Sequence, residues 1–79
     1  MTFDISLATK MEEIRLWNAG LDDRDGWLKS PEFHQGWLQG QAHLLKRLGL
    51  TSESDLVEML ELVAAKYTET LEQLAIGAG

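Results

Sequence analysis

The sequence predicts an all-α fold: one small domain spanning residues 1–79, in which a helical hairpin is followed by a long amphipathic C-terminal helix. Apolar residues recur at three- and four-residue steps in three segments, which is the spacing of an α-helix face. The single proline and most turn-forming residues fall between residues 20 and 31, and 79 residues suffice for one domain at most. We therefore expect three helices at about 5–19, 31–48 and 52–75, with a loop at 20–30.

The first predicted helix begins near Asp4 or Ser6, either of which can accept hydrogen bonds from free backbone amides. Gly20 favours termination, because glycine readily adopts the left-handed conformation found at helix ends. The apolar residues that share one face of this helix are Leu7, Met11, Ile14, Trp17 and Leu21.

The second predicted helix has the clearest start, with Ser30 as the cap and Pro31 at the first helical position. Gly49 ends it. Gly36 and Gly40 are unfavourable inside a helix, and either a close helix contact or an exposed flank explains them. The predicted core stripe consists of Phe33, Trp37, Leu44 and Leu48, widened by Leu38 and Leu45.

The third predicted helix begins at Thr51 or Ser52, with Asp55 placed to form a capping box with Ser52. It is the most clearly amphipathic segment of the chain. Its apolar face, which we expect to form core, contains Leu56, Leu60, Val63, Tyr67, Leu71 and Leu74. The opposite side carries the acidic residues Glu58, Glu61, Glu69 and Glu72.

Composition narrows the classes of function. The chain has no cysteine, which excludes disulfides and thiolate metal sites and is typical of an intracellular protein. It has no apolar run of membrane-spanning length and no basic segment before an apolar one at its start. We therefore expect a cytoplasmic protein that does not interact with membranes.

The net charge of −6 disfavours direct binding to nucleic acid, because acidic side chains repel phosphates. The same charge can attract a partner protein that has a basic surface. An acidic face can also imitate nucleic acid, and one alternative function is therefore a decoy that occupies a nucleic-acid-binding site through the four glutamates.

Residues 21–33 carry the only local pattern that is typical of metal chemistry. With Gly26 at the sixth position of a twelve-residue loop, Asp23, Asp25 and Glu32 fall at the third, fifth and twelfth positions. This run resembles an EF-hand loop, a resemblance that implies a calcium site with these three carboxylates as ligands. Leu21 stands at the first ligand position and Lys29 at the ninth, and the same residues are also typical of a polar turn followed by a helix start.

A second resemblance covers about 25 residues, in three short motifs. Trp17-Asn-Ala-Gly20-Leu, Pro31-Glu-Phe33 and Gly36-Trp37-Leu-Gln-Gly40 together resemble ribosome modulation factor and related short proteins. The resemblance implies binding to the ribosome. That family is basic, whereas this chain is acidic.

We expect no enzyme activity and no cofactor. His34 and His43 are nine residues apart and point in different directions on one helix, so they form a poor metal pair. No spacing indicates a nucleophile with its base, and a chain of this size has little room for a closed pocket.

Binding to another protein is the function that the sequence favours. Three tryptophans are many for so small a core, and exposed aromatic residues often anchor protein interfaces. We expect a protein–protein interaction module, a regulator or inhibitor similar in type to phage or plasmid accessory proteins. It is expected to be a homodimer formed through the third helix. The candidate partner-binding residues are Trp27, Trp37, Glu58, Glu61, Glu69 and Glu72.

Overall fold

The computed structural model describes residues 7–77, which form four α-helices and, within that range, no strand. The helices are α1 (Leu7–Leu21), α2 (Arg24–Lys29), α3 (Pro31–Arg47) and α4 (Glu53–Gly77). The prediction of an all-α fold with a long C-terminal helix is confirmed. The caps proposed at Asp4 and Ser6 lie outside the described residues.

The predicted loop at residues 20–30 contains the short helix α2, and this part of the prediction was wrong. Asp23 starts α2 by accepting a hydrogen bond from the backbone N–H of Gly26, at 3.2 Å between Oδ1 and N. Gly20 does not end the preceding helix, which continues to Leu21. Ser30 separates α2 from α3 as a single residue, but its side chain donates and accepts no capping hydrogen bond.

The connection between α3 and α4 follows the predicted end and start signals closely. Gly49 has a φ of +76°, and its N–H donates to the carbonyl of Lys46 while that of Leu50 donates to the carbonyl of Leu45. These two bonds form a Schellman motif, with Leu50 buried behind it. Ser52 and Asp55 then form the predicted capping box, with N–H to side-chain oxygen distances of 2.9 and 3.0 Å.

The core lies between α3 and α4 and is closed by α1 and α2. Trp17 on α1 is anchored to α3, because its indole N–H donates to the carbonyl of Leu38 at 3.0 Å. Leu38, Ala42 and Val63 have no exposed surface. The buried apolar residues are Trp17, Leu21, Trp27, Leu38, Ala42, Leu45, Leu50, Leu56, Met59 and Val63.

The structure reverses the predicted orientation of α3. Leu38 and Leu45, predicted only to widen the core stripe, are central to the core and are joined by Ala42. The residues predicted to form that stripe face outwards, and the exposed fractions of Phe33, Trp37, Leu44 and Leu48 are 74%, 44%, 36% and 50%. The periodicity identifies both apolar stripes, but the packing of α3 against α4 and α1 decides which one is covered.

The predicted faces of the other two long helices are confirmed only in the C-terminal half of α1 and the N-terminal half of α4. On α1, Trp17 and Leu21 are buried whereas Met11 is exposed. On α4, Leu56 and Val63 are buried, while Leu60 and Tyr67 pack against the edge of the core. Leu71 and Leu74 are exposed, since α4 continues past the start of α3 and contributes to a molecule that measures 56 × 21 × 15 Å.

Candidate functional site

The four glutamates predicted to bind a partner lie on one outward face of α4. Their steps of three, eight and three residues keep them in one row, which we call the acidic stripe: Glu58, Glu61, Glu69 and Glu72. All four are exposed, and none forms an ion pair or hydrogen bond with another described residue. The row is about 21 Å long at the helix rise of 1.5 Å per residue. Its carboxylates are therefore free to meet external cations.

An apolar groove between α1 and α4 lies beside the acidic stripe. It has a volume of about 340 Å³, and Ile14, Met59 and Leu62 contribute apolar side chains to it. The polar residues that line it are Lys10, Asn18, Asp55 and Glu58. Glu58 thus belongs to both features, and the groove and the stripe form one continuous surface. Sequence reasoning identified the glutamates but missed the groove, because it depends on how α1 lies against α4.

Asp55 gives the groove a fixed negative charge. The backbone N–H of Ser52 donates to its carboxylate, and this bond, with the Ser52 side chain, lowers the pKa of Asp55 below its ordinary value. The positive charge of Lys10 lowers the pKa further. Asp55 is consequently ionised at neutral pH and is held in place by its role in the capping box.

Trp27 is not an exposed anchor, and the prediction that it contacts a partner is corrected by its burial. Only 3% of its surface is exposed, and its indole N–H donates to the carbonyl of Leu21 at 2.7 Å. The packing of α2 against α3 and α4 brings this side chain inwards, and its hydrogen bond ties α2 to the end of α1. Trp27 therefore stabilises the junction between the two helices.

The three carboxylates predicted to bind calcium have separate local roles. Asp23 caps α2, Asp25 lies in the first turn of α2, and Glu32 lies in the first turn of α3. The Tyr67 hydroxyl donates a long hydrogen bond of 3.4 Å to Glu32. Within residues 7–77 the structure assembles no group of three or more acidic or histidine side chains suited to a metal ion.

Trp37 is half-exposed on α3 and is supported from one side by an unusual contact. A Cβ atom added to Gly20 would lie 2.7 Å from the Trp37 ring, so the ring packs directly against the glycine backbone. His34 lies next to it, with ring centroids 6.0 Å apart, and its Nε2 donates to the carbonyl of Gly20 at 2.7 Å. This cluster holds Trp37 at the surface in a defined position.

Comparison with known proteins gives no family assignment: no family model, curated protein or solved structure matches this chain. Within the described range, no helix has both the length and the apolar character needed to cross a membrane.

Proposed function

We propose that this protein is a small acidic interaction module that regulates or inhibits a partner protein by binding it. The binding surface is the α1–α4 groove together with the acidic stripe. The observation that carries this proposal is the continuity of an apolar groove with a row of carboxylates that have no described partners. Apolar contact and charge attraction side by side are what an amphipathic, basic partner segment requires.

The groove and the acidic stripe would recognise different features of the partner. Ile14, Met59 and Leu62 offer apolar contact for the hydrophobic face of a partner helix. Lysine or arginine side chains on the flank of that helix would reach Glu58 and Glu61. The net charge of −6 accelerates the encounter with a basic partner, and this acceleration weakens as salt is added.

The proposal can be tested by capturing the partner from host extract and identifying it by mass spectrometry. The amount captured is compared between acidic-stripe variants and control variants. We expect the double variant Glu61→Gln/Glu69→Gln to capture much less partner than the unaltered chain, because two interface charges are removed. Asp22→Asn with Asp25→Asn is the matched control, since it removes the same charge from exposed residues away from the stripe. Equal loss in both variants would show a general charge effect and would contradict the assignment of this surface.

A nucleic-acid decoy is a second candidate, and the length of the acidic stripe favours it. A row of four unpaired carboxylates about 21 Å long can follow a groove that normally binds a phosphate backbone. In that case the captured partner is a nucleic-acid-binding protein, and oligonucleotide competes with the module for it. Simultaneous binding of oligonucleotide and module by the partner would eliminate the decoy function while leaving the interaction function intact.

A further inference from the structure

The outward face of α3 carries an apolar row that the described part of the chain covers only in part. We call it the α3 stripe, and it consists of Phe33, Trp37, Leu44 and Leu48. Phe33 is 74% exposed, and Trp37, with 44% exposed, is held at the surface by its contact with Gly20. Large apolar side chains placed in a row on one helix are a common basis of helix–helix association.

The residue spacing within the α3 stripe is symmetric. The steps are four, seven and four residues, so the row is symmetric about the midpoint between Gly40 and Gln41. When two copies of α3 align antiparallel at this midpoint, Phe33 lies opposite Leu48 of the second copy, and Trp37 lies opposite Leu44. This is the self-complementary pattern of a two-fold interface, in which residue i contacts residue j and j contacts i.

Gly40 lies next to the midpoint of this arrangement, with Gln41 on the other side of it. A Cβ atom there would have no heavy atom within 4 Å, and the same holds for Gly36. No contact within the described molecule therefore requires either glycine. At a two-fold axis, however, a residue without a side chain allows two helix backbones to approach closely.

The charges on α3 select the antiparallel alignment. Glu32 lies in its first turn, and Lys46 and Arg47 lie in its last. Lys46 pairs with Glu53 of its own chain at 2.9 Å, whereas Arg47 forms no ion pair with a described residue. Antiparallel alignment brings Arg47 near Glu32 of the second copy, while parallel alignment would place like charges together.

We propose that a second copy of this chain occupies the α3 stripe, forming a two-fold symmetric antiparallel α3–α3 interface centred at Gly40. This interface is on a different helix from the acidic stripe, so the proposal does not depend on the proposed function. The dimer would display two acidic stripes, one from each copy.

Sedimentation equilibrium from 1 to 100 μM tests this with two lysine variants of equal charge. We expect the unaltered chain to dimerise and Gly40→Lys to raise the dimer dissociation constant at least about tenfold, because two like charges meet at the axis. Gly36→Lys is the control, since it lies at the edge of the stripe and carries the same added charge. Both changes replace a helix-interior glycine in open space, so both monomers should remain folded, as circular dichroism will show.

Single cysteines introduced into this cysteine-free chain report the alignment directly. We expect Gly40→Cys to form a disulfide-linked dimer under mild oxidation, because the two copies meet there. Phe33→Cys should remain unlinked, since its symmetry mate is about 22 Å away along the helix, far beyond disulfide reach. Efficient linkage of Phe33→Cys would indicate parallel pairing and overturn the proposal. So would a monomer at 100 μM, or equal loss of dimer in both lysine variants.

Discussion

At the scale of single residues, the indole hydrogen bonds determine how the helices are joined. Trp17 and Trp27 each donate to a backbone carbonyl, of Leu38 and Leu21 respectively, and each is buried. A buried indole N–H needs an acceptor, because leaving it unpaired costs about 1–3 kcal/mol. The two tryptophans thus combine apolar burial with a specific polar contact, which aliphatic residues cannot do.

Replacing Trp27 with phenylalanine tests this dual role. We expect Trp27→Phe to lower the free energy of unfolding by about 2–4 kcal/mol, since it removes both ring surface and the donor to Leu21. Trp37→Phe should lower the free energy of unfolding by a smaller amount, because Trp37 is half-exposed and its indole N–H has no hydrogen bond in the described region. Urea titrations at low micromolar protein measure both, and similar losses would contradict the assignment.

Calcium addition tests the separate roles of the three carboxylates in the EF-hand-like run. We expect millimolar calcium to leave tryptophan fluorescence and the thermal midpoint unchanged, because Asp23 caps a helix and does not converge with Asp25 and Glu32. Trp27 lies within the run and would report ordering by a metal. A saturable change that disappears in Asp25→Asn would show that the run binds calcium after all.

At the scale of helices, the two ends at the α3–α4 connection were more predictable than the faces. Gly49, Ser52 and Asp55 act through bonds to residues at most five positions away, so their roles can be inferred from local sequence. The buried face of α3 could not be inferred in this way. It carries two adjacent apolar stripes, and the choice of Leu38 and Leu45 over Phe33 and Leu48 depends on how α3 packs against α4 and α1.

The position of Gly49 allows a direct test of the left-handed end of α3. We expect Gly49→Ala to destabilise the protein by about 1–2 kcal/mol, because a Cβ is unfavourable at a φ of +76°. Gly36→Ala is the control; it should stabilise by about 0.5–1 kcal/mol, since Gly36 lies in open space inside the helix. Thermal unfolding of the two variants should therefore shift in opposite directions.

The capping box at the start of α4 predicts a specific pH dependence. The hydrogen bonds from Ser52 lower the pKa of Asp55 in the folded state, so its contribution is complete above the ordinary aspartate pKa. That contribution is lost as the pH falls through the lowered, folded-state value. We expect the thermal midpoint to fall on acidification in this range, and to fall less steeply in Asp55→Asn.

Ser52 provides the complementary measurement at neutral pH. Ser52→Ala should lower the free energy of unfolding by about 1 kcal/mol, because it removes the oxygen that accepts from the Asp55 N–H. Ser54→Ala is the matched control, since Ser54 lies in the first turn of α4 and forms no described hydrogen bond. If Ser54→Ala is equally destabilising, the capping assignment is wrong.

At the scale of the whole molecule, the fully buried side chains come from the middle of α3 and α4. Leu38, Ala42 and Val63 are fully enclosed, while the last turns of α4 carry Leu74 and Ile76 at 37% and 80% exposure. We expect the slowest hydrogen exchange at amides in the central turns of α3 and α4, and fast exchange after Thr70. Nuclear magnetic resonance measures this residue by residue, and uniform protection along α4 would contradict it.

The short connection between α3 and α4 also has a kinetic consequence. Only the five residues from Leu48 to Ser52 separate the two helices, and local hydrogen bonds define both sides of the turn. Closing so short a loop loses little chain entropy, so this antiparallel pair can form before α1 docks. Folding should therefore begin at the turn and proceed outwards, with the Trp17 contact to Leu38 completed late.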